Sequence, residues 1–409
     1  MSAAAGIILM YCIATIVAIV TRRIRVPYTA ALLLVGVALG SLQLVPLPHL
    51  TKELLFTVFL PGLLFEAAYH LEVHELRENA WAIGALAVPG VVVAIGLTAA
   101  LLVGGAALLG ERSALGWPAA LIFGGVIAAT DPVAVTALFR EVAAPRRLHV
   151  LVESESLLND GTSIVFFTLL LAYFAGEAPT PMALLVSFAR IALGGAAIGT
   201  AIGWGVSHVR TRVDDAAIEI TLTTIAAYGA FVAAEQIHCS GVIATVAAGV
   251  VCGHAGRHHA MTASTREAVD SFWEWFAFAL NSAVFLLLGA ELRTGAIAQE
   301  WRLVLLGALA ALGARAVVVA VVSIGLRGTR ERIPAAWSAV MVWGGLRGAL
   351  SLVLALSLPD ETVNRPLIIA LTAGAVALSL VGQSALMPTL LRRLGIVGAA
   401  AEPVPERSA

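Results

Sequence analysis

The sequence predicts an all-α polytopic membrane protein with about thirteen transmembrane helices, and three observations carry that prediction. Of its 409 residues, 60% are hydrophobic and only 12% are charged, a balance foreign to soluble globular chains of this size. Apolar runs of about 18 or more residues, enough to cross a bilayer as helix, recur along the whole length. These runs are continuous and do not alternate, which excludes a β-barrel.

Taken in order, the first span, 3–21, is too long for a signal peptide and lacks a cleavage site, so it is read as a membrane helix. The second covers 27–44. The third, 50–69, carries Glu66 deep within Leu60-Pro61-Gly62-Leu63-Leu64-Phe65-Glu66. After an apolar fourth span at 80–109, the fifth, 115–139, is interrupted at Ala129-Thr130-Asp131-Pro132-Val133. Pro132 removes a backbone donor there and disfavours helix at Asp131. The sixth, 152–175, opens on a polar stretch bearing Glu153, Glu155 and Asp160 and runs into Ile164–Leu171, which is fully membrane-grade.

A seventh span, 182–208, holds Arg190, and the eighth, 215–236, holds Glu219 and Glu235 near its ends. Snorkelling or interface packing is the default reading for these three. The ninth and tenth cover 240–254 and 270–291. The eleventh, 301–326, carries a lone Arg315, and the twelfth, 333–358, is broken at Trp343-Gly344-Gly345-Leu346-Arg347-Gly348, where glycines let the helix unwind. The thirteenth is 364–391. Loops are short throughout, so residues 1–394 form one transmembrane domain, and the Ala/Pro/Glu-rich tail 395–409 is read as disordered and cytoplasmic.

Each broken span is the fifth of the six on its side of the seventh. That pairing points to inverted repeats, about 3–175 and 215–391, linked by helix 182–208, with a site at the membrane midplane. Half-helix ends would meet there, and Asp131 and Arg347 are positioned to neutralise them. Arg347 is either such a compensator or a second ion-pairing partner.

Orientation follows from the basic residues. Seventeen of the 25 Lys and Arg fall in one set of alternate connections and the C-terminus, five in the opposite set, and three (Arg190, Arg315, Arg347) within spans. The N-terminus is therefore expected outside and the C-terminus in the cytoplasm. Net charge is −1 and gives no reason to expect nucleic acid as a partner. Cys12, Cys239 and Cys252 have no metal or pairing spacing, and His254, His258 and His259 are read as loop residues and not as a zinc site. HExxH, GxSxG and Walker A patterns are absent, so no enzyme and no cofactor are expected.

A carboxylate at bilayer depth costs roughly 2.5 to 17 kcal/mol, and a bound cation or proton is the natural compensation. Ser156 and Asp160 lie one helical turn apart, with Asn159 beside them, whereas Glu155 points about a third of a circle away. Asp160, Ser156 and Thr130 form an oxygen-only set suited to a hard monovalent cation. Glu66 is read as lying in or beside that site, with an arginine-held structural acid as the alternative. Glu155 and Arg315 are lone charges of opposite sign and are read as a buried ion pair. A protonated Asp160 cannot hold a cation, and a loaded one excludes the proton. Because residue 159 is Asn and cannot titrate, one cation per proton is the simplest stoichiometry.

Four segments resemble, in order and spacing, the NhaP/NHE-type cation:proton antiporters. They are Ala129-Thr130-Asp131-Pro132-Val133-Ala134, Glu155-Ser156-Leu157-Leu158-Asn159-Asp160, Leu280-Asn281-Ser282-Ala283-Val284-Phe285 and Trp343-Gly344-Gly345-Leu346-Arg347-Gly348-Ala349. Ser240-Gly241-Val242-Ile243-Ala244 is similar too, while Gly62 stands where many relatives have a second proline. The resemblance implies an NhaA-like inverted-repeat fold, a homodimer, and exchange of Na⁺ or Li⁺ for H⁺. It implies Asp160 as principal carrier, Thr130 and Ser156 as ligands of the sodium ion, Glu66 as a further acidic contributor to it, and Asp131 in a water-mediated or helix-end role. Asn159 would orient the extended segment around Thr130, and Glu155 with Arg315 looks like the family's core ion pair. The Asn159-Asp160 pair resembles the electroneutral branch, and the long regulatory tail of animal exchangers is not seen.

The expectation is thus an electroneutral Na⁺/H⁺ antiporter of a bacterial inner membrane, working by alternating access with pH homeostasis as its setting. K⁺/H⁺ exchange on the same scaffold is the near rival. A gated cation channel is the rival from another class, although the polar residues converge on one patch and do not line a continuous pore.

Overall fold

A computed structural model describes residues 3–24, 27–42, 51–111, 115–176, 180–256, 262–292 and 294–396, and every regular element among them is helical. The chain begins with α1 (Ala3–Ile24), α2 (Tyr28–Leu42), α3 (Lys52–Leu54), α4 (Leu60–His70), α5 (Val73–Glu78), α6 (Ala80–Ala87) and α7 (Pro89–Leu108). It continues through α8 (Trp117–Ala128), α9 (Val133–Glu141), α10 (Arg146–Phe174), α11 (Pro181–Arg210), α12 (Ala216–Gln236) and α13 (Gly241–Ala255). The last elements are α14 (Ala263–Glu291), α15 (Thr294–Gln299), α16 (Trp301–Gly325), α17 (Ala335–Trp343), α18 (Ala349–Leu356), α19 (Arg365–Ala377) and α20 (Ser384–Arg393). Nine helical stretches among the described residues are long and apolar enough to cross a membrane, and three shorter apolar helices, at Tyr28–Leu42, Leu55–His70 and Gly241–Ala255, accompany them. The protein is a multi-pass helical membrane protein.

Several boundaries differ from the hydropathy reading for local reasons. Helix α10 starts at Arg146 and α14 at Ala263, ahead of the expected 152 and 270, because their first turns are charged and apolar windows miss them. The 80–109 run is divided at Val88, just before Pro89. The hydroxyl of Thr162 donates to the Ala87 carbonyl at that break (2.6 Å) and so satisfies a polar group the proline region leaves open. At the C-terminal end, Gly395 adopts φ +66° and the Ile396 N–H donates to the Leu391 carbonyl (3.0 Å), a Schellman-type stop with Ile396 buried. Order therefore extends past Gly395, and the rest of the expected tail, 397–409, lies outside the described residues.

Small residues set the closest helix contacts. Gly36 of α2 faces Gly289 of α14, and a Cβ on either would strike the other helix's backbone. Gly199 of α11 stands in the same relation to Ala244 of α13. Lipid offers no hydrophobic drive between helices, so this backbone-to-backbone approach supplies the packing. Helix α10 packs against α6 and α8 on one side and against α4 and α13 on the other. Its polar turns therefore sit between two groups of helices.

Candidate functional site

The two broken segments lie against each other, and the Asp131 N–H donates to the Leu346 carbonyl (2.8 Å). Two half-helices end at this crossing, and each end has an arginine. At the end of α8, Arg347 Nη1 donates to the carbonyls of Ala128 (2.9 Å) and Ala129 (3.2 Å). Near the end of α17, Arg315 Nε donates to the Met341 carbonyl (2.8 Å). Two more half-helices begin here, and Asp131 serves both. Its Oδ1 accepts from the Val133 N–H at the start of α9 (2.9 Å), and its carboxylate packs on Gly348 at the start of α18. Cations at carbonyl ends and an anion at amide ends are the arrangement that the helix dipole favours. Of the two readings left open for Arg347, the contacts fit the helix-end compensator. Ser379 completes the clamp by accepting from the Arg347 N–H (2.9 Å), a contact with no sequence signal.

Helix α10 ties the extended segment down. Ser156 donates to the Thr130 carbonyl, while Thr130 Oγ1 donates to Ser156 Oγ (3.1 Å). Asn159 Nδ2 donates to the Ala128 carbonyl (3.0 Å) and to Thr130 Oγ1 (3.2 Å), and its own Oδ1 accepts from Ser163 (2.8 Å). Glu155 faces away and receives both terminal nitrogens of Arg315, at 3.1 and 2.9 Å. Asp160 differs from all of these: its buried Oδ1 has no hydrogen-bond partner among the described residues.

A cavity of about 650 Å³ brings Asp160, Thr130, Asp131, Ser156 and Glu66 to one space, leaving Glu155, Arg315 and Arg347 behind its wall. Five carboxylates line it (Glu66, Asp131, Glu153, Asp160 and Glu274) against two arginines, Arg22 and Arg140. Such an excess of negative charge in a low-dielectric cleft concentrates cations. The near basic partner of Glu66 is not an arginine but His70, whose Nδ1 lies 3.4 Å from Oε1 and 2.9 Å from the Glu66 carbonyl oxygen.

Of the three charges read as snorkelling or packed at the interface, Arg190 and Glu235 are exposed, while Glu219 departs from snorkelling. Glu219 is fully buried and accepts from Arg210 Nε (2.7 Å), a residue the sequence placed in a connection. Glu235 Oε1 accepts from the Gly241 N–H at the start of α13 (3.1 Å). Arg190 lines a second cavity, of about 830 Å³, together with Glu53, Glu235 and His238. His258 and His259 lie outside the described residues, and no group of three metal-ligating side chains occurs among the described ones.

Half-helices meeting beside an intramembrane carboxylate that has no basic partner among the described ion pairs define a secondary transporter. Residues 8–393 match the family described as sodium/hydrogen exchanger, transmembrane, and the chain belongs to that family. It is 36% identical over 376 residues to the Na⁺/H⁺ antiporter ApNhaP of Aphanothece halophytica, spanning 91% of this chain and 71% of that protein. It is 37% identical over 352 residues to the Na⁺/H⁺ antiporter NhaP of Pseudomonas aeruginosa, spanning 84% and 81%. The solved structure of the sodium proton antiporter MjNhaP1 from Methanocaldococcus jannaschii at pH 8 superposes with a TM-score of 0.78. That match covers 96% of this chain and 98% of the other at 19% identity, and it establishes a shared fold.

Proposed function

We propose that this protein exchanges Na⁺ (or Li⁺) for H⁺ across the cytoplasmic membrane, with cation and proton competing for Asp160. The observation that carries the reading is the Asp160 carboxylate: it lines a cation-attracting cavity, and its Oδ1 is buried without a hydrogen-bond partner among the described residues. Family membership and the names of the relatives support Na⁺ as the cation. Thr130, Ser156 and Glu66 are proposed as the neighbouring oxygen ligands, and Asp131 as a helix-end anion within reach of the same water. Asn159, Glu155, Arg315 and Arg347 hold the frame.

Exchange follows from electrostatics. An empty ionised carboxylate is too costly to carry through a closed intermediate, so the site moves only when neutralised by a cation or a proton. With Asn at 159, only Asp160 titrates in that pair, and one cation per proton moves no net charge. The wider reading has thirteen crossings in inverted repeats, 3–175 and 215–391, joined by helix 182–208. It has the N-terminus outside, the C-terminus in the cytoplasm, a bacterial inner membrane as its location, and a homodimer as the working unit. The decisive experiment is reconstitution in proteoliposomes with an internal pH-sensitive dye, adding Na⁺, Li⁺, K⁺ or choline with and without an imposed voltage. Na⁺- and Li⁺-driven proton movement indifferent to voltage is expected. A response to K⁺ alone would make it a K⁺/H⁺ antiporter, and cation flux without proton counterflow would make it a channel.

A further inference from the structure

We propose that Asn281 of α14 supplies a further, non-titrating oxygen to the transported cation from the cavity wall facing α10, and so sets which monovalent cation is accepted. The proposal rests on the exchange reading above. Asn281 lines the same cavity as Asp160, Thr130 and Ser156. It is only partly exposed, yet its carboxamide makes no hydrogen bond to the described residues. An amide oxygen offers two lone pairs, and a group of this kind is costly to leave unmet away from bulk water. Water or a cation in the cavity is what can meet it.

The neighbours of Asn281 fix where it points. Ser282 shares a hydrogen bond with the Tyr28 hydroxyl (2.7 Å), and the Tyr28 ring stacks on Phe278 with centroids 5.3 Å apart. These contacts clamp the rotation of α14 against α2 on both sides of residue 281. Depth is fixed as well. Helices α2 and α14 run parallel, since Tyr28 meets Ser282 and Gly36 meets Gly289. The cavity end marked by Arg22 is therefore the end at which the α14 lining begins, with Glu274. Asn281 lies seven residues further in along α14, roughly 10 Å of helix from that end, and lines the cavity together with Asp160.

Beyond the carboxylates of Asp160 and Glu66, the proposed ligand set is short of free oxygens without it. The hydroxyls of Thr130 and Ser156 are engaged with each other, with the Thr130 carbonyl and with Asn159. Hard cations are held by about six or more oxygens, so the two carboxylates need further neutral oxygens beside them. A carboxamide gives that help without carrying a proton. It adjusts cation affinity and leaves the exchange ratio alone.

The test uses the full-length protein in proteoliposomes, comparing wild type with Asn281→Ala, Asn281→Ser and Asn281→Asp for Na⁺-, Li⁺- and K⁺-driven proton flux. Asn281→Ala is expected to raise the half-saturating Na⁺ about tenfold, equivalent to about 1.4 kcal/mol, with maximal rate within about twofold. The factor should differ among the three cations, and Asn281→Ser, which keeps an oxygen, should fall between Ala and wild type. Asn281→Asp adds a second titrating group, so its flux should become voltage-dependent and its pH profile should change. Thermal unfolding of the detergent-purified proteins supplies a second readout: the stabilisation by added Na⁺ should shrink in Asn281→Ala while its cation-free melting temperature holds. Unchanged half-saturation for all three cations in both Ala and Ser variants overturns the proposal while leaving exchange at Asp160 intact. Absence of Na⁺-driven proton flux in wild type removes the exchange reading itself.

Discussion

Arg315 meets Glu155 with both terminal nitrogens, at 3.1 and 2.9 Å, while its Nε holds the Met341 carbonyl at 2.8 Å. One guanidinium thus joins α10, α16 and the end of α17. Gly345 makes room for it, because a Cβ there would overlap the Arg315 side chain. Removing the carboxylate leaves a buried, uncompensated cation, which typically costs about 3–5 kcal/mol. Glu155→Ala is therefore expected to lower thermal stability in detergent at least as clearly as it lowers transport. An inactive protein with an undisturbed melting temperature would instead assign the ion to Glu155.

Asp160 behaves in the opposite way. Its Oδ1 has no partner among the described residues, and Asn keeps the shape and one acceptor oxygen, so Asp160→Asn removes the charge at little cost to the fold. The variant is expected to insert and fold, to show no Na⁺-driven proton movement, and to lose any rise in melting temperature on adding Na⁺. Transport at the wild-type rate would remove Asp160 as the carrier.

The contrast between these two acids was partly legible in the sequence. Pro132 and the glycines at 344, 345 and 348 act on the backbone directly, so both helix breaks could be located from residue type alone. The partners of Arg347 could not be located in this way, because they are peptide carbonyls, which every residue carries. Arg210 and Glu219 escaped for a related reason. They lie at the ends of two consecutive helices, where sequence reading defaults to solvent, and only the packing of α11 against α12 and α13 buries them. His70 beside Glu66 was likewise hidden, since a histidine one turn from an acid is common and carries little information.

Gly348 makes a sharp test of the helix-end role of Asp131. A methyl group at 348 would overlap Asp131 Cβ and its carboxylate, so one of the two must move. Gly348→Ala is expected to reduce the maximal exchange rate about tenfold or more, with Asp131→Ala showing a comparable defect. Alanine at 131 keeps the Cβ that a methyl at 348 would strike, so the double variant should be somewhat worse than Asp131→Ala but less than additive, because both changes disturb the same helix start. Initial rates of proton flux in proteoliposomes supply the comparison, and fully additive losses would separate the two residues.

Competition at one carboxyl group fixes how transport should vary with pH. A proton and a cation exclude each other at Asp160, so only the deprotonated fraction accepts Na⁺. Below the carboxyl's apparent pKa that fraction falls tenfold per pH unit, and the half-saturating Na⁺ should rise about tenfold per unit with it. Well above that pKa the half-saturation should level off, while the rate falls because too few protons bind to return the carrier. The expected profile is a bell whose acidic limb is abolished by saturating Na⁺ and whose alkaline limb is not. Measuring initial rates across a grid of Na⁺ concentration and equal internal and external pH checks this. An acidic limb that persists at saturating Na⁺ would mean that proton and cation bind to separate groups.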